Sequence, residues 1–410
     1  MTQIPKAMNA FPYIKTLQIN DCYTYQGLII DTGVDGDSFK HIIITGKNGS
    51  GKTTILNRIA FVLDNIRVGN SPKESIQMWE NQIKTSPAIE QDSLKKRLKD
   101  YNDVKLIFNN DYYGRLKEIK TEFILSYFKA NRIIHLNNVQ TVTTETNFTT
   151  FLSENSDSLD FVKSFKQYLV NKKVHEAFDM IESKVKQVNE NKKFFDGFTQ
   201  MLRGIFHDEK LELEFKKETF EFFLKQGDGR RITFNQLSDG FSAFLNILMD
   251  LLMKTDLIRQ QKNDFSYYPN GFVLIDEPET HCHLAMQYEV LPLIADLFPN
   301  IQLIVATHSP AVISSLRNSV VYDLSSQQLV SDEQRLGSSY SELMIRHFGL
   351  ENEFSPIADK IISDVQVAVL ENNAEKLKQI IIENDKYLTP SLRLEIESQI
   401  IEIQSKNIES

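Results

Sequence analysis

Gly46-Lys-Asn-Gly-Ser-Gly-Lys-Thr53 is the stretch that decides the fold, and it directly follows the apolar run 42–44. An apolar strand, a glycine-rich turn and a helix, in that order, are typical of a phosphate-binding loop. The glycines let successive backbone N–H groups turn toward a phosphate, and the N-terminus of the following helix favours the anion. After the loop, Ile55, Ile59 and Val62 recur at helical spacing. The pattern therefore predicts a site for a nucleoside triphosphate.

The residues of this loop have separate predicted roles. Lys52 is expected to reach the β- and γ-phosphate oxygens and to take part in catalysis, and the Thr53 hydroxyl is expected to ligate Mg²⁺. The alternative is a glycine-rich surface turn, which the strand and helix on either side disfavour. The residues predicted to contact the nucleotide are Gly46, Asn48, Gly49, Ser50, Gly51, Lys52, Thr53 and Thr54.

Length and composition limit the class of protein. With 410 residues, of which 41% are hydrophobic, the chain can bury a large core in one nucleotide-binding domain with insertions, or in two domains. The net charge of −9 disfavours a surface devoted to nucleic acid. Basic residues still gather in 95–99, 115–120 and 163–193, where a solvated helix face and a DNA track are both open interpretations. The apolar runs are too short for a membrane span, and residues 1–10 lack a signal-peptide pattern, so we expect a cytoplasmic protein.

Alternating strands and helices predict an α/β fold with a parallel sheet. We divide the chain into the parts 1–70, 71–209, 210–325 and 326–410, of which the second is an inserted helical region and the last a helical tail. The first two strands are expected at the entry edge of the main sheet, and one apolar stripe is expected from Phe161 to Val185. The predicted strands are 14–19, 27–31, 104–108, 122–128, 141–148, 211–215, 220–225, 231–234, 271–275, 301–306 and 320–324. The predicted helices are 159–202, one after Gly240, 340–348, 356–370, 374–383 and a last one from Pro390.

Two carboxylates end the apolar strand 272–275. Asp276 is expected to support Mg²⁺ together with Thr53, whereas Glu277 is expected to orient and deprotonate the attacking water. Pro278 prevents the strand from continuing. A pair of surface acids at the end of a buried strand is the alternative, and the phosphate-binding loop disfavours it.

A histidine ends the next apolar run, 303–306. His308 could donate to the γ-phosphate or polarise the water if its strand lies beside the one that carries the acids. Taken alone, such a residue is more often a packed histidine at a strand end.

The segment Leu237 to Phe241 offers a hydroxyl, a glycine and a helix N-terminus. These groups can hold a second anion. One protomer already has one γ-phosphate site, so we expect Ser238 and Gly240 to cap the nucleotide of a partner subunit in a symmetric dimer. A plain helix cap is the alternative.

Taken in order, these four motifs resemble those of ABC-type ATPases of the RecF, SMC and OLD group. Within that group they are most similar to stand-alone ATPases of bacterial anti-phage defence systems such as Septu, retrons, PARIS and Abi. The resemblance covers roughly Ile14 to Leu324. It implies a P-loop NTPase fold of the ABC and RecF type with a mixed sheet, and it implies ATP and Mg²⁺ as cofactors.

The resemblance also implies roles for individual residues. Asp276 would support the metal, Glu277 would be the general base and His308 the switch histidine, with Ser238 and Gly240 acting in trans. The segment 279–283 would be the D-loop that contacts the other subunit, although His281, Cys282 and His283 also allow a zinc interpretation. For the lid known as the Q-loop no glutamine is placed well, and Arg132 or Gln140 could serve.

The interval between Lys52 and Ser238 is too short, once its strands are subtracted, for the long coiled coil of an SMC protein. The tail beyond Leu324 lacks the clustered acids of a metal-dependent nuclease, so we expect ATP hydrolysis without nucleic-acid cleavage. Our leading hypothesis is an ATPase that dimerises around nucleotide and controls a separate nuclease or toxin in phage defence, with DNA or a phage component as a further partner. The alternatives are a RecF-like DNA-binding repair ATPase and a tail that mainly builds a higher oligomer.

Overall fold

The computed structural model describes residues 11–34, 36, 38–68, 72–109, 116, 118–132, 136–143, 163–348 and 355–409. The strands are β1 (Ile14–Cys22), β2 (Tyr25–Asp31), β3 (His41–Thr45), β4 (Val104–Phe108), β5 (Ile124–Phe128), β6 (Glu212–Lys216), β7 (Glu221–Lys225), β8 (Arg231–Thr233), β9 (Gly271–Asp276), β10 (Ile301–Ala306), β11 (Ser319–Asp323) and β12 (Gln328–Val330). The helices are α1 (Lys52–Val68), α2 (Pro72–Thr85), α3 (Ala88–Asn102), α4 (Phe165–Ile181), α5 (Val185–Phe206), α6 (Asp239–Lys262), α7 (Leu284–Leu297), α8 (Pro310–Ser315), α9 (Asp332–Leu336), α10 (Tyr340–Phe348), α11 (Pro356–Leu370), α12 (Ala374–Glu383) and α13 (Pro390–Glu409).

A six-stranded sheet in the order β12-β11-β3-β10-β9-β5 carries the phosphate-binding loop. Its strands are parallel except for β12, which pairs antiparallel with β11 at one edge. Every residue of β3, β9 and β10 is buried, as the apolar runs within them predict for strands covered on both faces. The register aligns Ala306 with both Ile44 and Asp276, so the ends of these three strands lie at one level. The predicted α/β P-loop fold with a mixed sheet is confirmed.

The first two strands do not join this sheet, and their predicted place at its entry edge is wrong. β1 pairs antiparallel with β2 on one side and with β4 on the other, which makes a separate three-stranded sheet. The buried Gln302 side chain of β10 links the two sheets: it accepts from Ile14 N and donates to Ile14 O and Lys40 O, each at 2.8 Å. One apolar cluster includes buried residues of both sheets and of α1.

Helices α4 and α5 precede a small antiparallel sheet, β6-β7-β8. The expected single apolar stripe is wrong, because the helix breaks after Ile181 and Ser183 takes a φ of +56°. Phe178, Ile181 and Val185 are 56%, 79% and 68% exposed, so only the first half of the stripe is core. In the strand predicted at 141–148, residues 141–143 form no strand. The rest of that strand, Phe161, residues 1–10, Arg115 and Lys117 lie outside the described residues.

The chain forms two compact units, residues 1–343 and residues 344–410. In the second unit, α11, α12 and α13 pack around a small apolar core that includes Ile361, Leu377 and Ile396. The bounds of these helices match their predicted positions, whereas the finer fourfold division of the chain stays a prediction. Among the helices that the structure describes, none combines the length and the apolar composition that a membrane crossing requires.

Candidate functional site

The phosphate-binding loop connects β3 to α1 and folds around the buried Lys52 side chain. The ammonium nitrogen of Lys52 donates to Gly46 O at 2.8 Å and to Lys47 O at 3.1 Å. Burial lowers the pKa of Lys52, and the negative charges of Glu277 and Glu279 act in the opposite direction. The lysine is thus held inside the loop, where a phosphate would compete with the two carbonyls for its N–H donors.

Two tyrosines that sequence reasoning missed support the loop. Tyr23 donates to Gly49 O at 2.6 Å, and Tyr25 donates to Ser50 O at 2.8 Å. A Cβ atom on Gly51, whose φ is +87°, would lie 2.7 Å from Cδ1 of Tyr23, so this position requires glycine. The buried Ser50 hydroxyl has no hydrogen-bond partner among the described residues, which suits a loop built to receive a ligand. In the sequence, Tyr23 and Tyr25 are marked only as a pair of aromatic residues at a short turn.

Thr53 and Asp276 meet across the end of the sheet, as predicted. The Thr53 hydroxyl lies 2.9 Å from Oδ2 and 3.2 Å from Oδ1 of Asp276. Burial raises the pKa of Asp276, and the hydrogen bond from Thr53 acts in the opposite direction. A hydroxyl and a carboxylate are hard oxygen donors of the kind that Mg²⁺ prefers. The two residues therefore fit the predicted metal.

Glu277 and His308 also come together, because their strands are neighbours that end at one level. Glu277 has a φ of +49° and its N–H donates to Ala306 O at 2.8 Å. His308 Nδ1 lies 3.5 Å from Glu277 Oε1, and both side chains are partly exposed. The structure thus brings the predicted base and the predicted switch histidine to the edge that also carries the loop.

Glu279 is a buried carboxylate behind His308, and sequence analysis assigned it only to the segment that contacts another subunit. Its Oε1 accepts from the Thr307 hydroxyl at 2.7 Å and from His308 N at 2.8 Å, and it lies 3.2 Å from His308 Nδ1. The contact with another subunit that the resemblance implies for the segment 279–283 stays a prediction. His308 Nδ1 itself makes no hydrogen bond to the described residues, so Glu279 holds the main chain at His308 and places a negative charge beside the ring.

The two candidates for the Q-loop lid differ in burial. Arg132 is 2% exposed and donates to the main-chain oxygens of Asp276 at 2.7 Å and Glu277 at 2.8 Å. It therefore lies behind the acidic strand end and cannot act as a mobile lid. Gln140 is exposed.

Ser238 and Gly240 lie at the start of α6. Ser238 is exposed, and its side chain makes no capping hydrogen bond. The plain-cap interpretation is therefore wrong for its hydroxyl. Gly240 is buried, and a Cβ atom there would lie 2.4 Å from His281 O. The close approach of His281 O in the same chain therefore explains why position 240 is a glycine.

The segment between β9 and α7 contains the His-Cys-His run considered for zinc. Cys282 is buried with its thiol 3.6 Å from Pro278 O, and His283 caps α7 by accepting from Met286 N at 3.3 Å. Within the part of the chain that the structure describes, no group of three or more His, Cys, Asp or Glu residues could hold a metal ion.

Comparisons with known proteins match most of the chain to one family. Residues 42–314 match the family described as "AAA domain, putative AbiEii toxin, Type IV TA system". The chain is 25% identical to the Septu protein PtuA of Bacillus thuringiensis, over 85% of this chain and 88% of that one. It is 25% identical to the Retron Vc95 probable ATPase of Vibrio cholerae serotype O1 biovar El Tor, over 50% of this chain and 36% of that one.

A shorter match is 34% identical to the Retron Ec83 probable ATPase of Escherichia coli, over 23% of this chain and 17% of that one. The chain therefore spans less than half the length of both retron relatives. Among solved structures, an SMC head bound to the C-winged helix domain of ScpA is similar with a TM-score of 0.38 and 16% identity, over 76% of this chain and 94% of that one.

Proposed function

The chain belongs to the AAA domain family described as putative AbiEii toxins of type IV toxin–antitoxin systems, and on this premise we propose that it binds and hydrolyses ATP with Mg²⁺. The observation that carries the proposal is the meeting of Thr53 and Asp276, at 2.9 Å, beside Glu277 and His308. Lysine, hydroxyl, two carboxylates and a histidine are the groups that phosphoryl transfer to water requires.

Each group has one part in the reaction. Lys52 and the loop N–H groups bind the β- and γ-phosphates, and Thr53 and Asp276 would hold Mg²⁺, which neutralises phosphate charge when bound. Glu277 takes a proton from the attacking water, because its carboxylate is partly exposed at the strand end. His308 donates to the γ-phosphate, which makes the site sensitive to the presence of that phosphate.

We further propose that two chains close around two ATP molecules. The exposed Ser238 hydroxyl at the N-terminus of α6 has no capping bond, so it is available to a γ-phosphate held by another chain. The residue would then complete a site that belongs to its partner, as in a symmetric dimer.

The relatives support a role in phage defence. The chain is similar to a Septu protein over most of both lengths and to retron ATPases over part of theirs. We propose that nucleotide-driven dimerisation controls an effector of the nuclease or toxin class in the cytoplasm, and that DNA or a phage component is the trigger.

The RecF-like alternative has less support in the segment 163–193. Lys166 and Lys172 are buried there in ion pairs with Glu221 at 2.6 Å and Asp256 at 2.8 Å. The first pair joins α4 to β7 and the second joins α4 to α6, so these two lysines are not free to contact a DNA backbone.

The proposal is tested by mixing two defective variants. Lys52→Ala should lose nucleotide binding, and Ser238→Arg should bind ATP but not dimerise productively, so each alone should release no phosphate. A mixed dimer contains one intact site, built from the loop of one variant and the serine of the other. Recovery of phosphate release on mixing is the expected result. Ser238→Arg that releases phosphate at the wild-type rate would refute the shared site, and full activity of Lys52→Ala would refute ATP hydrolysis at this loop.

A further inference from the structure

Arg132 makes a pair of main-chain contacts at the strand end that carries the acids. One guanidinium donates to two successive main-chain oxygens, those of Asp276 and Glu277, at 2.7 and 2.8 Å. Successive carbonyls of a β-strand point to opposite sides, so a regular strand end cannot present both to one group. They converge here because Glu277 leaves the strand conformation with a φ of +49°.

This backbone conformation is strained for a residue with a side chain. Such strain persists only where surrounding contacts hold it, and Arg132 supplies two charge-assisted hydrogen bonds to the flanking oxygens. The same conformation sets the direction of the Glu277 side chain, whose Oε1 lies 3.5 Å from His308 Nδ1. Arg132 therefore acts on the position of the Glu277 carboxylate through the main-chain φ angle of Glu277.

The charge of Arg132 has a second consequence. The residue is almost fully buried, and the acids Asp276, Glu277 and Glu279 all contribute favourable electrostatic interactions with it. Glu279 is itself buried, so a cation on the inner side of this acidic cluster offsets part of the repulsion among the carboxylates.

We propose that Arg132 is a positioning residue for ATP hydrolysis, which holds Glu277 in its left-handed conformation and so aims the general base at the attacking water. This inference rests on the proposed function. Arg132 itself touches neither nucleotide nor water in this role. Its planar fork, and not only its charge, is required, because two oxygens must be bound at once.

The chain offers a matched control in Arg335. This residue is also fully buried, at 0% exposure, and its guanidinium likewise donates to successive main-chain oxygens, Leu316 O at 2.7 Å and Arg317 O at 2.8 Å. It lies by Ser319, which starts β11 and pairs with His41 at the start of β3. Ser319 and His41 lie at the end of the sheet opposite the phosphate-binding loop. Arg335 therefore shares the burial and the paired main-chain contacts of Arg132 but not its location, and it also forms an ion pair with Asp332 at 2.7 Å.

The test compares Arg132→Met, Arg132→Lys and Arg335→Met by steady-state phosphate release, fluorescent ATP-analogue binding and thermal unfolding. We expect Arg132→Met to lower kcat by roughly 10- to 100-fold with KM and analogue affinity nearly unchanged, because a misplaced base costs turnover and not binding. Arg132→Lys should retain an intermediate kcat. Arg335→Met should lower the melting temperature while its kcat per folded molecule stays near that of the wild type.

A second measurement separates positioning from general destabilisation. In a Glu277→Gln background the base is absent, so adding Arg132→Met should reduce the residual single-turnover rate no further. Three results would each overturn the assignment. The first is an equal loss of kcat in Arg132→Met and Arg335→Met, and the second is an effect of Arg132→Met on KM alone. The third is an additive loss of rate in the double variant. If Arg132→Met does not fold, the Arg132→Lys comparison decides by the same criteria. Wild-type protein that releases no phosphate, or Glu277→Gln that keeps the wild-type rate, would instead overturn the proposed function.

Discussion

Gly240→Ala should damage the junction between α6 and the segment that follows the acidic strand end. The new Cβ atom would lie 2.4 Å from His281 O, whereas real Cβ contacts rarely fall below 3.0 to 3.4 Å. One of the two backbones must therefore move by about 0.6 to 1.0 Å, and overpacking of this kind typically costs about 1–3 kcal/mol. Because Ser238 lies two residues away, the same shift should displace the serine from a partner's nucleotide.

The assay is thermal unfolding together with phosphate release. At about 2–4 °C per kcal/mol for domains of 150–250 residues, and less for a larger unit, Gly240→Ala should lower the melting temperature by a few degrees. Turnover should fall by more than ATP-analogue binding does. Gly197→Ala is the matched control, since that exposed glycine lies within α5 with no atom near the new Cβ and should gain about 0.5–1 kcal/mol. Equal melting temperatures and equal turnover for the two variants would refute the reasoning.

Other outcomes follow from single contacts in the structure. Glu279→Gln keeps an acceptor for Thr307 but removes the charge beside His308. We therefore expect a lower kcat in phosphate-release assays with ATP affinity preserved. A loss of ATP affinity alone would contradict a role of Glu279 in turnover. Tyr23→Ala removes the hydrogen bond to Gly49 O, worth about 0.5–1.5 kcal/mol, and should weaken ATP-analogue binding by up to roughly tenfold in a fluorescence titration, with unchanged affinity as the contrary result. Gln302→Leu removes the partner of buried main-chain groups that now bond to Gln302, which costs about 1–3 kcal/mol for each group and should lower the melting temperature strongly. A Gln302→Leu protein as stable as the wild type would show that the bridge between the sheets is dispensable.

The sequence predicts best what local pattern and sheet geometry determine. The loop, α1 and the fully buried β3, β9 and β10 follow from short apolar runs. Parallel strands end at one level, which brings Asp276, Glu277 and His308 together. The helices of the second unit have caps and apolar spacing that locate them well. These elements can be predicted from local sequence without information on contacts between distant segments.

What sequence reasoning missed depends on pairing between distant segments. β1 pairs with β4 instead of the main sheet, and nothing in either strand indicates which partner it takes. Arg132 bonds to the main chain of Asp276 and Glu277, so no side-chain pattern at either end reveals the contact. The apolar residues Phe178 and Ile181 follow helical spacing, yet the break at Ser183 leaves them exposed.

The central claim is that each chain completes the nucleotide site of the other. The most direct measurement is an experimental structure of the Glu277→Gln variant with ATP and Mg²⁺. The account predicts two copies with the Ser238 hydroxyl of one copy in hydrogen-bond range of the γ-phosphate held by Lys52 and Thr53 of the other. ATP seated in both loops with every Ser238 remote from both triphosphates would contradict it.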